Sequence, residues 1–197
     1  MNSFSLKSYL SSNIDIDEME ISAIVEKCTT KKIRKDQFLI RSGEYCKHTF
    51  FVESGLLRQY SIDKKGKEHI LNFAPENWFV TDRESSFFNQ PSVYYIQALE
   101  DSEVVSIDED FIHLLSEKFP AFTDFNNRLL HNHIRNLQNR IDLLLGANAE
   151  ERYLQFVKMY PDIMLRVPQA MVASYLGITP ESLSRVRKEL ALKNLKR

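Results

Sequence analysis

The chain has 197 residues, of which 43% are hydrophobic and 27% charged, with a formal net charge of −1 and a mean hydropathy of −0.34. That is enough chain for one large core or two small ones, and no apolar run approaches the roughly 20 residues of a membrane-spanning helix. Two cysteines, Cys28 and Cys46, with no CxxC or metal spacing indicate neither a disulfide framework nor an iron–sulfur site. The first twenty residues carry no basic cluster followed by an apolar block, so a cytoplasmic location is expected.

Residues 15–35 read as a short helical entry, with Ile16, Met19, Ile21, Ile24 and Val25 on a rough 3.6 period. From about Asp36 to Ile107 the rhythm changes to short β-rich runs at 37–41, 48–53, 56–62, 69–73, 93–99 and 103–107. Turn signals separate them: Ser42-Gly43, Ser54-Gly55, Asp63 to Gly66, Pro75 to Asn77 and Asn89 to Pro91. Strands of that length and spacing predict an all-β barrel or jelly roll rather than βαβ units.

Helical periodicity returns after Asp108. A short helix at 111–119 stops at Pro120, and a long one follows from about Ala121 to Leu145, ending at Gly146. Leu130, Ile134, Leu137, Ile141 and Leu144 alternate at intervals of four and three, a heptad seam suited to a second copy of the chain or to packing on the barrel. Arg128, Arg135 and Arg140 fall on the wet side of that helix. Another helix is expected at 149–160, before Pro161. The organisation expected is a barrel at 1–120, a dimerisation helix and hinge at 121–147, and a C-terminal domain at 148–197.

Residues 169–190, QAMVASYLGITPESLSRVRKEL, read as a helix-turn-helix. Ala173 permits close backbone approach, Gly177 supplies the positive φ of the turn, and Val172, Leu176, Ile178, Leu183 and Val186 supply the shared core. The second helix opens on Thr179-Pro180-Glu181, a hydroxyl N-cap, a proline where a missing N–H costs nothing, and an acid at the positive helix end. Its polar residues Thr179, Glu181, Ser182, Ser184, Arg185, Arg187 and Lys188 suit a reader of the major groove of double-stranded DNA; an ordinary helical hairpin is the alternative. From Ile163 onward there are seven Lys/Arg and two Glu, a balance of +5, which leaves −6 for residues 1–162. Such confinement of positive charge suits phosphate attraction, although Lys193, Lys196 and Arg197 also suit a solvated tail.

Barrel, long helix and helix-turn-helix in this order resemble the Crp/Fnr family of bacterial transcription regulators. Residues 42–73, with Gly43, Gly55 and Gly66, are similar to the family's glycine-marked strands, and residues 176–190 to its recognition helix. The resemblance implies an α+β chain: a jelly-roll barrel, a dimerisation helix and a winged-helix-like DNA-binding domain. It also implies a homodimer that contacts double-stranded DNA and RNA polymerase, with Glu181 and Arg185 on base edges and Ser182 on the backbone.

Four departures accompany it. Pro180 stands where many members have arginine, and with seven residues after Leu190 the usual β-hairpin is not expected in this sequence. The cyclic-nucleotide cassette of Gly-Glu and Arg-Ser is replaced by Thr81-Asp82 and Ser92-Val93, which argues against cyclic AMP because the phosphate would lack its bidentate arginine. Asp82, Arg83, Ser92 and Tyr94 are the candidate residues for some other small effector, and Phe73, Trp78, Phe87, Phe88, Tyr94 and Tyr95 either line its pocket or form core. The N-terminal cysteines of the oxygen-sensing branch are missing. No cofactor, metal or membrane partner is expected. A ligand-binding module whose C-terminal helices contact a protein is the rival reading; a cupin-like metalloenzyme would need more strand histidines than His48 and His69.

Overall fold

The computed structural model describes residues 5–194. Contacts divide it into two compact units, one of residues 5–67 and 71–130, the other of 68–70 and 131–194.

The first unit opens with α1 (Leu6–Asn13) and α2 (Glu18–Val25). Ser5 and Ser8 form a reciprocal capping box on α1, and the carboxylate of Asp17 accepts the Met19 and Glu20 amides on α2. Eight strands follow: β1 (Thr29–Ile33), β2 (Phe38–Ile40), β3 (Thr49–Ser54), β4 (Leu57–Ile62), β5 (Glu68–Ala74), β6 (Phe79–Val80), β7 (Tyr95–Ala98) and β8 (Ser102–Ile107). A short helix, α3 (Arg83–Phe88), separates β6 from β7. The strands form two four-stranded sheets, ordered β1-β8-β3-β6 and β2-β7-β4-β5. This is the expected sandwich-like barrel, with two corrections to the chain-order reading. Residues 29–33 are a strand, not the end of a helix: paired antiparallel with β8 from Thr29↔Ser106 to Ile33↔Ser102, TTKKI buries only Ile33 and so shows no apolar alternation. The entry region holds one helix, α2, and α1 lies ahead of it where the periodicity offered no helix.

The continuous apolar runs of β3 and β8 follow from burial on both faces. Phe50, Val52 and Val104 point between the sheets, where they meet Ile40, Leu57, Ile96 and Ala98. Phe51, Val105 and Ile107 point the other way, into a helical layer of Leu6, Leu10, Ile21 and Ile24. That layer is completed by Phe111 and Leu115 of α4 (Glu109–Lys118) and by Phe122 and Phe125 from the start of α5 (Pro120–Gly146). Gly55 makes the β3–β4 turn at φ +90°, and a Cβ there would collide with Ser102 Oγ and the Asp101 carbonyl; only glycine satisfies both demands.

The second unit contains the rest of α5, then α6 (Ala149–Met159), α7 (Ile163–Arg166), α8 (Gln169–Leu176) and α9 (Pro180–Asn194). Asn148 and Glu151 form a capping box on α6. Phe156, Tyr160 and Tyr175 make an aromatic cluster with ring centroids 5.2 to 5.7 Å apart. Around it Ile163, Val167, Val172, Ala173, Leu176, Leu183 and Val186 are all buried. No strand follows β8 among the described residues, and none of their helices is long and apolar enough to cross a membrane.

Candidate nucleic-acid interface

The two helices of the expected reader form as their local chemistry dictates. Gly177 caps α8 in the left-handed region at φ +66°, and the Ile178 N–H returns to the Ala173 carbonyl at 3.0 Å, a closed helix end. Thr179 then caps α9: its hydroxyl accepts the Ser182 N–H at 3.2 Å and donates to Ser182 Oγ at the same distance. Val172, Ala173, Leu176, Leu183 and Val186 are buried as the spacing predicts, while Ile178 is half-buried.

On α9, at 100° per residue, Glu181, Ser184, Arg185 and Lys188 share one face, opposite Leu183, Val186 and Leu190. All four are exposed. Ser182 and Arg187 are half-buried and flank that face rather than sitting on it. The Glu181 carboxyl is held below its ordinary range, first by its own backbone N–H and then by the Thr179 hydroxyl. Its negative charge also suits the positive end of the α9 dipole.

Two basic residues stand otherwise than their sequence positions suggest. Arg140, expected on the wet side of α5, is half-buried: its guanidinium lies 3.8 Å from the centre of the Tyr175 ring and donates to the Tyr175 carbonyl at 3.1 Å. Lys193 is no loose tail, since it pairs with Glu150 at 2.8 Å and ties α9 to α6. Lys196 and Arg197 lie outside the described residues. Arg140 and Arg152 are the polar residues that periodicity passes over, because their partners include the backbone carbonyls of Tyr175 and Leu176, 35 and 24 positions away.

The heptad positions of α5 split. Ile134, Leu137, Ile141 and Leu144 are 51%, 48%, 55% and 41% exposed, a stripe of half-covered aliphatic side chains. Leu130 is half-buried and belongs to the first unit. A stripe exposed to that degree matches a face left for another helix.

The candidate effector residues come together at the α3 end of the barrel. Asp82 is buried and accepts the Glu84 and Ser85 amides at 3.1 and 3.3 Å. Ser92, also buried, exchanges hydrogen bonds with the Tyr94 backbone at 3.1 Å. Partial burial, then the charges of Asp82 and Glu84, push the Tyr94 hydroxyl up, and Arg83 is exposed beside them. Of the aromatic residues, Phe73 is core, whereas Phe87 and Phe88 are 73% and 66% exposed and line no interior. Cys28 is half-buried, with its thiol pushed up to about 11 by burial and then by Asp108, and Cys46 is buried. Among the described residues no cluster of His, Cys, Asp and Glu is arranged to hold a metal ion.

Comparison with known proteins agrees with this architecture. Residues 30–118 match the cyclic nucleotide-binding domain. An anaerobic regulatory protein of Pasteurella multocida is 31% identical over 178 residues, covering 85% of this chain and 64% of the relative. A fumarate and nitrate reduction regulatory protein of Yersinia pestis is 30% identical over 178 residues, covering 85% and 70%. The chain thus spans about two thirds of the length of these relatives. The fold is shared with FixK2 of Bradyrhizobium japonicum at a TM-score of 0.70 and 20% identity, over 85% of this chain and 86% of that one.

Proposed function

From its membership of the Crp/Fnr family of transcription regulators, we propose that the chain works as a sequence-specific, DNA-binding homodimer and catalyses no reaction. The observation that carries this reading is the outward face of α9. Glu181, Ser184, Arg185 and Lys188 are exposed together on a helix whose opposite side is buried to 0% at Leu183 and 6% at Val186. A helix held that firmly, with donors and acceptors on its free side, fits the major groove.

Arg185 forks onto a guanine edge and Glu181 accepts from a cytosine amino group, while Lys188 and Arg187 lie against phosphates and Thr179 and Ser182 hold the start of the helix. Ile134, Leu137, Ile141 and Leu144 form the seam between two copies, with Leu130 at its rim. Pairing two copies sets two α9 helices on successive grooves about 34 Å apart. RNA polymerase is the partner this family membership suggests for the bound dimer.

The barrel serves as the sensor. Its residues do not fit a cyclic nucleotide: Asp82 already spends its carboxylate on the α3 amides, Ser92 on the Tyr94 backbone, and exposed Val93 follows Ser92 where an arginine–serine pair would hold the phosphate. An anion of that charge needs a fixed cationic partner to offset its desolvation. The effector is therefore a different small molecule, received near Asp82, Arg83, Ser92 and Tyr94.

Salt dependence separates this reading from a protein-binding role for the C-terminal helices. Affinity for a selected duplex falls linearly on a log–log plot against salt, with a slope set by the number of phosphates neutralised. A flat salt response, or no duplex enriched from a random pool, refutes DNA binding.

A further inference from the structure

The first helix of the reader, α8, ends on four carbonyls that the helix itself leaves without partners. The Gly177 turn satisfies two of them, those of Ala173 and Ser174, through the Gly177 and Ile178 amides. The remaining two receive guanidinium groups from two other helices. Arg140 of α5 donates to the Tyr175 carbonyl at 3.1 Å and lies across the Tyr175 ring; the same nitrogen also donates to the Ile70 carbonyl at 2.9 Å. Arg152 of α6 donates from one nitrogen to the Leu176 carbonyl at 2.9 Å and from another to the Ala147 carbonyl at 3.0 Å. Ala147 is the first residue after α5, so Arg152 bridges the end of the long helix and the end of α8.

A third contact lies beside these. A Cβ built on Gly177 would stand 3.2 Å from Leu144 Cδ2 and 3.5 Å from an Arg152 nitrogen. The turn between α8 and α9 is therefore pressed against the last heptad residue of α5. Two cations at the negative end of a helix dipole also suit its charge, and a planar fork that spans two carbonyls fixes direction as well as distance.

We infer that Arg140 and Arg152 are positioning residues: they hold the DNA-reading pair α8–α9 at a fixed angle to α5, and so set the separation at which two reading helices in a dimer address their half-sites. This rests on the DNA-binding reading above and adds to it the source of spacing selectivity.

The test measures binding of the full chain to its selected operator and to operators with one base pair added or removed between the half-sites. Wild type, Arg140→Met, Arg152→Met and the milder Arg152→Lys are compared; the lysine keeps the cation and loses the two-carbonyl span. The wild type discriminates between spacings, and the ratio of its affinities falls toward one in each variant, while half-site sequence preference and thermal midpoint are retained by Arg152→Lys. A spacing ratio unchanged in Arg152→Lys and in whichever methionine variants fold overturns the inference, even where overall affinity drops, because a merely structural role lowers all spacings alike. A wild-type chain that selects no duplex at all refutes the DNA reading and this inference with it, whereas normal selection with unaltered spacing refutes this inference alone.

Discussion

Replacing Leu137 by alanine probes the face on which dimerisation depends. Leu137 is 48% exposed in the single chain, so about half of its side chain awaits a partner. Fully burying a leucine is worth about 1.5–3 kcal/mol, which puts the exposed half near 1 kcal/mol. A two-fold interface carries the change twice, so the dimer loses about 2 kcal/mol, or roughly a thirtyfold rise in its dissociation constant. Incomplete closure of the resulting cavity adds to that figure. The fold of the subunit is spared, since no core residue is touched. Leu165 of α7 is the control: at 88% it is more exposed than Leu137 and lies off the seam. Sedimentation equilibrium across the dimerisation range shows a shifted midpoint for Leu137→Ala and none for Leu165→Ala. Equal shifts in the two variants, or none in either, refute the seam.

Other expectations follow from the same geometry. Arg185→Ala weakens the preferred operator by about 1–3 kcal/mol and relaxes one base-pair position, whereas Lys188→Ala weakens all duplexes alike and lowers the salt slope by about one; competition binding on single-substitution operators reads both. Leu183→Ala, at a position with no exposure, costs the second unit about 2–5 kcal/mol, visible as a lowered urea midpoint. Gly55→Ala is far costlier than Gly66→Ala: both glycines have positive φ, but the new Cβ meets Ser102 and the Asp101 carbonyl only at Gly55, so matching urea midpoints contradict that packing. Cys28, with its thiol near 11, is alkylated at pH 8 roughly a hundredfold more slowly than a free thiol. Because folding favours its neutral form, the associated stability is complete below about pH 8.5 and is lost as the pH rises toward 11.

What was legible from the sequence was local. Gly177 and Thr179-Pro180-Glu181 fix the turn and the start of α9 through backbone preferences and a single cap, which need no distant partner. Gly43, Gly55 and Gly66 mark barrel turns for the same reason, and each has positive φ. The residues that escaped depend on contacts far along the chain. β1 presents four exposed side chains and is a strand only because β8, about 70 positions along the chain, supplies its hydrogen bonds. Two-residue β6 is likewise defined by its pairing with β3. α3 carries its phenylalanines on the outside, so it has no inward stripe to detect. Arg140 looks like any solvated heptad charge until Tyr175, 35 positions on, is folded beneath it. The face of α9 was legible as a periodicity, but the separation of Ser182 and Arg187 from Arg185 and Lys188 became visible only once Leu183 and Val186 were seen to be buried.

Hydroxyl-radical footprinting of the dimer on its selected operator measures the central proposition most directly. Two protected patches one helical turn apart, about 34 Å centre to centre, with the patches lost in a Glu181, Arg185 and Lys188 triple alanine variant that keeps its thermal midpoint, is the outcome expected. Protection that survives that variant, or a single patch without two-fold symmetry, contradicts it.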